Sequence, residues 1–363
     1  MKKNSCDIII PVWNELEVTK ECVDSIAKHT HYPYRLVIID NASDAPTRDY
    51  LLGLKDSKDI NLELIRNEEN LGFVKAVNQG IKFSDAQFIC IMNNDTIATD
   101  GWLDTMISVM ENNKDVGLVN PTSNTFSHFP DDNESIDEYA SRLKSFKDEI
   151  QELHCCRFFC TVIKREVLDK LGSLDEAYNL GYFDDTDYCK KAQRLGYRPV
   201  RAKGAYVHHK ENMSFRKLKE NSALFKANED IFLKRWGRHV RVGFFLDKVK
   251  SPQRVNDIAI DVARNGHQIF IFFKKGLEWP VTLDHYDIVR VDTNPFFFGL
   301  ISIYKILKRK KKKRLEILIT DNPVFGNFLK MTKFLHGSEV FINVDREKLI
   351  KTLKEKSKVV GQV

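Results

Sequence analysis

"FICIMNNDTIATDGWL", residues 88–103, begins as an apolar run and breaks at Asn93, Asn94 and Asp95 into a polar turn. A short apolar run bounded by turn residues reads as a buried strand. An Asx turn is enough to explain the amides that close it. A carboxylate at the end of a buried strand is also where a cleft can offer an oxygen ligand to magnesium or manganese. Taken alone the stretch leaves both readings open.

Repetition along the chain gives it context. Apolar runs recur at residues 6–13, 34–41, 61–67 and 86–94, and helical periodicity fills 15–29, 44–55 and 73–84. This alternation predicts an α/β fold, Rossmann-like, with a mostly parallel sheet and helices on both faces. Ligands of such sheets sit outside the carboxyl ends of the strands. Each run here ends in polar residues: Pro11 to Glu15, Asp40-Asn41, Asn67 to Asn70, and Asn93-Asn94-Asp95.

Farther on, "GYFDDTDYCKKAQRLGYRPV" (181–200) sets Asp184, Asp185 and Asp187 ahead of a predicted helix that Gly196 would stop. One acid suffices for an N-terminal cap. A carboxylate of this cluster beside a sugar hydroxyl would be a candidate general base. "GAYVHHKENMSF" (204–215) adds His208 and His209, one of which could serve as a neutral imidazole ligand, although a single histidine is more often structural.

Length and composition bound the rest. The 363 residues suggest two domains, and 42% apolar with 30% charged residues is ordinary globular material. No apolar run approaches the roughly 18 residues of a spanning helix, and the N-terminus leaves no room for a secretory segment, so a cytoplasmic protein is expected. The seven cysteines lack paired CxxC spacing and read as reduced thiols. From about residue 240 the β/α rhythm restarts, which predicts domains over 1–239 and 240–363, the second a smaller Rossmann-like one. Within it "FFFGLISIYKILKRKKKKR" (296–314) suits peripheral contact with the anionic inner face of a membrane. A buried helix followed by a solvated basic loop explains the same residues. Nucleic acid is not an expected partner, because no interleaved aromatics or recognition motif accompany the charge.

"IIIPVWNELEVTKECVDSI", "LVIIDNASD", "NEENLGFVKAVNQGI", "CIMNNDT", "LGSLDEAYNLGYFDDTDYCKKAQRLGY" and "AYVHHKENMS" together resemble a family 2 glycosyltransferase of the GT-A fold, close to its rhamnosyltransferase-like branch. The resemblance covers about residues 5 to 237. It implies a nucleotide-sugar donor (a UDP- or dTDP-sugar), a divalent cation (Mn2+ or Mg2+), and inverting transfer to a hydroxyl of a glycan or glycoconjugate acceptor. It implies nucleotide contacts by Pro11, Val12, Glu15 and Asp40, with Asn70, Gly72, Phe73 and Asn78 closing over the nucleoside. Asn93, Asn94 and Asp95 stand at the family's Asp-x-Asp signature, with Asp95 as metal ligand, aided by His208, and Asn93 replacing the first acid. Asp185 aligns with the base, Asp184 precedes it, and Asp187 would order the helix start. A small residue is usual where Phe159 or Cys160 falls, which implies a narrower sugar pocket. Residues 240–363 are weakly similar to the N-terminal half of GT-B glycosyltransferases. The amide at Asn93 keeps a second reading open, a catalytically silent carbohydrate-binding or assembly module.

Overall fold

A computed structural model of the chain describes residues 2–57, 60–211, 221–310 and 313–358. It divides into two compact units, Met1–Asp230 and Ile231–Val363, a boundary nine residues earlier than the 239/240 expected from the sequence. The division falls inside a helix, Asn221–Trp236, whose apolar periodicity does not mark it.

Unit one opens with β1 (Lys2–Val12), α1 (Leu16–His29), β2 (Tyr34–Asp40), α2 (Ala45–Ser57), β3 (Leu62–Arg66), α3 (Phe73–Phe83) and β4 (Ala86–Met92). It continues with β5 (Thr96–Ala98), α4 (Trp102–Asn112), β6 (Val116–Thr122), α5 (Ile136–Leu143), β7 (Ile150–Glu152) and β8 (Cys160–Lys164). Last come α6 (Arg165–Leu171), α7 (Asp184–Arg194), β9 (Arg198–His209) and α8 (Asn221–Trp236). Among the described residues nine strands form one sheet in the order β3-β2-β1-β4-β8-β6-β9-β5, with β7 on β9. Strands β3, β2, β1 and β4 run parallel, so their carboxyl ends meet at one edge.

The core explains these strands. Phe88 through Met92 are buried, so β4 carries no polar face, as a strand covered on both sides requires. Each such Ile or Phe contributes roughly 1.5–3 kcal/mol on burial. Helix α3 sits close on the sheet through Gly80, where an added Cβ would come within 2.5 Å of the Ile9 side chain. β4 stops where the Asn93 N–H turns to the Phe159 carbonyl at 2.8 Å. All seven cysteines are buried free thiols.

Unit two contains β10 (Arg241–Leu246), α9 (Pro252–Arg264), β11 (Gln268–Lys274), β12 (Ile288–Thr293) and α10 (Phe298–Leu307). β13 (Ile317–Thr320), α11 (Pro323–Met331), α12 (Lys333–His336), β14 (Glu339–Ile342) and α13 (Arg346–Ser357) complete it. Its described strands form a parallel sheet in the order β12-β11-β10-β13-β14, a Rossmann-like arrangement as the sequence predicts. At the carboxyl edge, Arg254 Nη1 donates to both Asp321 carboxylate oxygens at 2.8 and 2.9 Å, and the Asn322 amide donates to Asp247 at 2.7 Å. The polar groups at that edge partner one another.

Candidate active site

A cleft of about 880 Å³ lies in unit one at the carboxyl ends of the parallel strands, within the size range of ordinary ligand sites. Pro11, Val12 and Trp13 reach it from the end of β1, and Asn41 from the end of β2. Asn70, Gly72 and Phe73 line it ahead of α3, and Asn93, Asn94 and Asp95 from the end of β4. Asp184 and Asp185 line it as well, so the two acidic motifs that are ninety residues apart in sequence share one space.

The strand-end amides are locked before any ligand arrives. The Asn41 amide donates to Asn70 Oδ1 at 2.6 Å, while Asn41 Oδ1 accepts from the Leu71 N–H and the Asn67 amide at 3.0 Å each. Asn70 Oδ1 also takes the Gly72 N–H at 2.9 Å. Gly72 has φ +82°, and a Cβ there would lie 2.6 Å from Leu180 Cδ2 and 3.3 Å from Leu180 Cα. A side chain is excluded both by conformation and by the loop that leads to the acids.

At the other end, Asp95 Oδ1 lies 3.1 Å from His209 Nε2, and His209 Nδ1 lies 3.0 Å from the Thr125 hydroxyl. Phe159 stacks on the imidazole, centroids 5.0 Å apart and planes at 13°. It lines the cleft, whereas Cys160 is buried within β8. Asn93 Nδ2 approaches the same His209 nitrogen at 3.5 Å, and Asn94 donates to the Thr19 hydroxyl at 2.9 Å.

Several expected residues lie elsewhere. His208 does not line the cleft: β9 pairs with β5 so that Ile97 faces His208 and Thr96 faces His209, and neighbours on a strand point to opposite faces. The ring of His208 lies near the Tyr206 hydroxyl, and burial, then the charges of His209 and Lys210, push its pKa down. Asp40 is buried behind the cleft, paired with Arg66 and accepting the Ser43 N–H at 2.8 Å, so Asn41 takes its place on the wall. Glu15 precedes α1 in left-handed backbone, φ 61°, and Asn78 is spent on the Leu174 backbone and Glu176; neither lines the cleft.

Helix α7 begins at Asp184, so the acids form its first turn rather than preceding it. Asp187 is buried, accepting from the Tyr178 hydroxyl at 3.1 Å and pairing with Lys191 at 2.7 Å. The approach to α7 is strained: Asn179, Tyr182 and Phe183 all have positive φ, 48°, 72° and 68°, a region costly for bulky side chains. The Asn228 side chain from α8 holds this loop by donating to the Tyr178 and Gly181 carbonyls at 2.8 and 2.6 Å.

Asp184 and Asp185 both titrate high. Burial, then the Asp185 charge, pushes Asp184 up to about 8. Burial also raises Asp185, but its carboxylate accepts the Thr186 N–H at 2.6 Å and hydroxyl at 3.0 Å and feels the Arg157 cation. Thr186 and Arg157 favour the charged form of Asp185, which burial opposes, and each carboxyl of the pair disfavours charge on the other. Arg157 lines the same cleft and donates to the Thr125 carbonyl at 2.7 Å.

Residues 7–172 match the family model of Glycosyl transferase family 2. This segment is a family 2 glycosyltransferase domain. The transferase match ends before α7, so Asp184, Asp185 and His209 lie beyond it. The chain is similar to glycosyltransferase AglE of Haloferax volcanii, 25% identical over 52% of this chain and 62% of the relative. It is also 26% identical to the uncharacterized protein y4gI of Sinorhizobium fredii, over 64% of this chain and 27% of that one. A shorter likeness, 29% identity over 29% of this chain and 41% of the relative, is to an Escherichia coli protein. Its name is UDP-Glc:alpha-D-GlcNAc-diphosphoundecaprenol beta-1,3-glucosyltransferase WfgD. The chain thus spans less than two thirds of the length of each of these relatives.

Proposed function

We propose that unit one transfers a sugar, with inversion, from a nucleotide-diphosphate donor to a hydroxyl of a glycan or of a lipid- or protein-linked acceptor. The observation that carries this reading is the cleft lined by both the Asp95–His209 pair and the Asp184–Asp185 pair. The name of WfgD, which pairs a UDP-sugar with a diphospholipid-linked acceptor, supports the lipid-linked version.

The donor set at Asp95 suits a divalent cation in part. One carboxylate and one imidazole converge there, and no cluster of three or more His, Cys, Asp or Glu side chains fit for a metal occurs among the described residues. Two protein ligands suit a cation whose remaining positions go to diphosphate oxygens and water, as magnesium and manganese commonly arrange. Bound there, Mn2+ or Mg2+ would neutralise charge on the departing nucleoside diphosphate. His209, held by Thr125 on its other nitrogen, orients the site.

Asp185 removes the proton of the acceptor hydroxyl. The Thr186 N–H and hydroxyl and the Arg157 cation favour the ionised form that a base needs. Trp13, at the mouth of β1, and the locked Asn41–Asn70 pair present a flat apolar surface and fixed amides for a nucleoside. Hydrolysis of UDP-, dTDP- and GDP-sugars, screened with manganese, magnesium or chelator, tests the reading. Turnover of no donor under any of these conditions, by protein that still binds nucleotide, would favour the silent-module alternative.

A further inference from the structure

The basic run after α10 leads, with no carboxylate from Asn294 to Leu315 or from Asn322 to Ser338, into a second helical segment of the same character. On α10 the side chains of Leu300, Tyr304 and Leu307 are exposed at spacings of four and three residues, one stripe of a helix. On α11 Val324, Phe328 and Met331 repeat that spacing, with Val324 and Met331 81% and 79% exposed. The two stripes meet, because Leu307 from α10 and Phe328 and Leu335 from α11 and α12 border one small groove. Phe296, just before α10, and Phe334, on α12, are likewise exposed, 89% and 83%. The helix is therefore not the buried one that the sequence also allowed.

An apolar patch contributed by three helices exceeds the scattered single hydrophobics of an ordinary surface. The same segments are cationic: Lys308, Lys310, Lys313, Lys330 and Lys333 are all exposed. Lys311 and Lys312 of the same run lie outside the described residues. No helix among the described residues is long and apolar enough to cross a membrane. The combination is that of an interfacial contact, in which apolar side chains enter the acyl boundary and lysines meet headgroups.

We propose that the α10–α12 face of unit two docks on an anionic lipid bilayer, lying in its surface and not spanning it. A second copy of this chain is the poorer occupant, since a two-fold contact through this face would set its lysines against themselves. The aliphatic residues of the two stripes have no role on a nucleic acid. The inference stands on unit two alone and does not depend on sugar transfer.

Flotation of the full chain with phosphatidylcholine vesicles, with and without phosphatidylglycerol, tests it. Binding should require phosphatidylglycerol and weaken as salt rises. Leu300→Glu with Met331→Glu should reduce flotation by about tenfold or more, and Lys308→Glu with Lys330→Glu should reduce it comparably. All four positions are exposed, so unchanged circular dichroism certifies the fold of each variant. No binding to either vesicle, or equal binding to both, overturns the proposal. So does a concentration-dependent oligomer in sedimentation velocity that the Leu300→Glu, Met331→Glu variant abolishes, which would assign the face to a second copy.

Discussion

His209 Nε2 lies 3.1 Å from Asp95 Oδ1, joining the last residue of β9 to the turn that follows β4. His209 is 114 residues later in the chain than Asp95. Removing either should have the same consequence. Asp95→Ala and His209→Ala are each expected to weaken UDP or dTDP binding about tenfold, ~1.4 kcal/mol, and to abolish its dependence on divalent cation. Calorimetric titration with manganese and with chelator checks this. Equal affinities for the unaltered protein under both conditions would remove the metal role.

Loss of the base should appear in turnover and not in donor affinity. Asp185→Asn is expected to lower kcat by about 10²–10⁴-fold while the donor Kd stays nearly constant. Asp187→Asn, whose parent side chain serves Tyr178 and Lys191, should instead lower the melting temperature. Full activity of Asp185→Asn beside a dead but folded Asp184→Asn would move the base one residue back.

Asp184 also makes a prediction in pH. Its carboxyl titrates at about 8 in the folded protein against an ordinary 3.8. The folded state therefore keeps a proton that the unfolded chain releases, and stability falls as pH rises from about 4 to about 8. Asp184→Asn is neutral throughout, so its Tm should gain on that of the parent across this window. Thermal melts at about pH 5 and about pH 8 read the difference; a constant offset would contradict the shift.

Asn228 supports the strained loop from outside the cleft. Asn228→Leu leaves the Tyr178 and Gly181 carbonyls without these partners, at a cost of about 1–3 kcal/mol. A merely structural role would move only the melting temperature. A positioning role adds a fall in kcat with donor Kd preserved, because the loop sets the start of α7 and so the place of Asp185. Single-turnover rates beside nucleotide titrations separate the two.

The amino-acid sequence determined, by itself, what depends on neighbours along the chain. Continuous apolar runs placed β1 to β4 within a few residues of their observed ends, and the polar residues after each run marked the edge where the cleft lies. The repeat of that pattern after residue 240 announced the second sheet. These features are local, because burial of a strand is written in the residues of that strand.

Facing and partnership were decided only by tertiary structure. His208 and His209 are chemically identical in the sequence, and only the register of β9 on β5 turns one of them toward Asp95. Asp40 is available to a ligand until β3 brings Arg66 beside it. Asn78 belongs to the loop at Leu174, ninety-six residues away. Whether the aromatic residues of α10 were covered depended on what packed over them, and no periodicity within one helix can state that. Each of these outcomes is set by a contact between segments far apart in the chain, where a one-residue change of register reverses which side chain meets which.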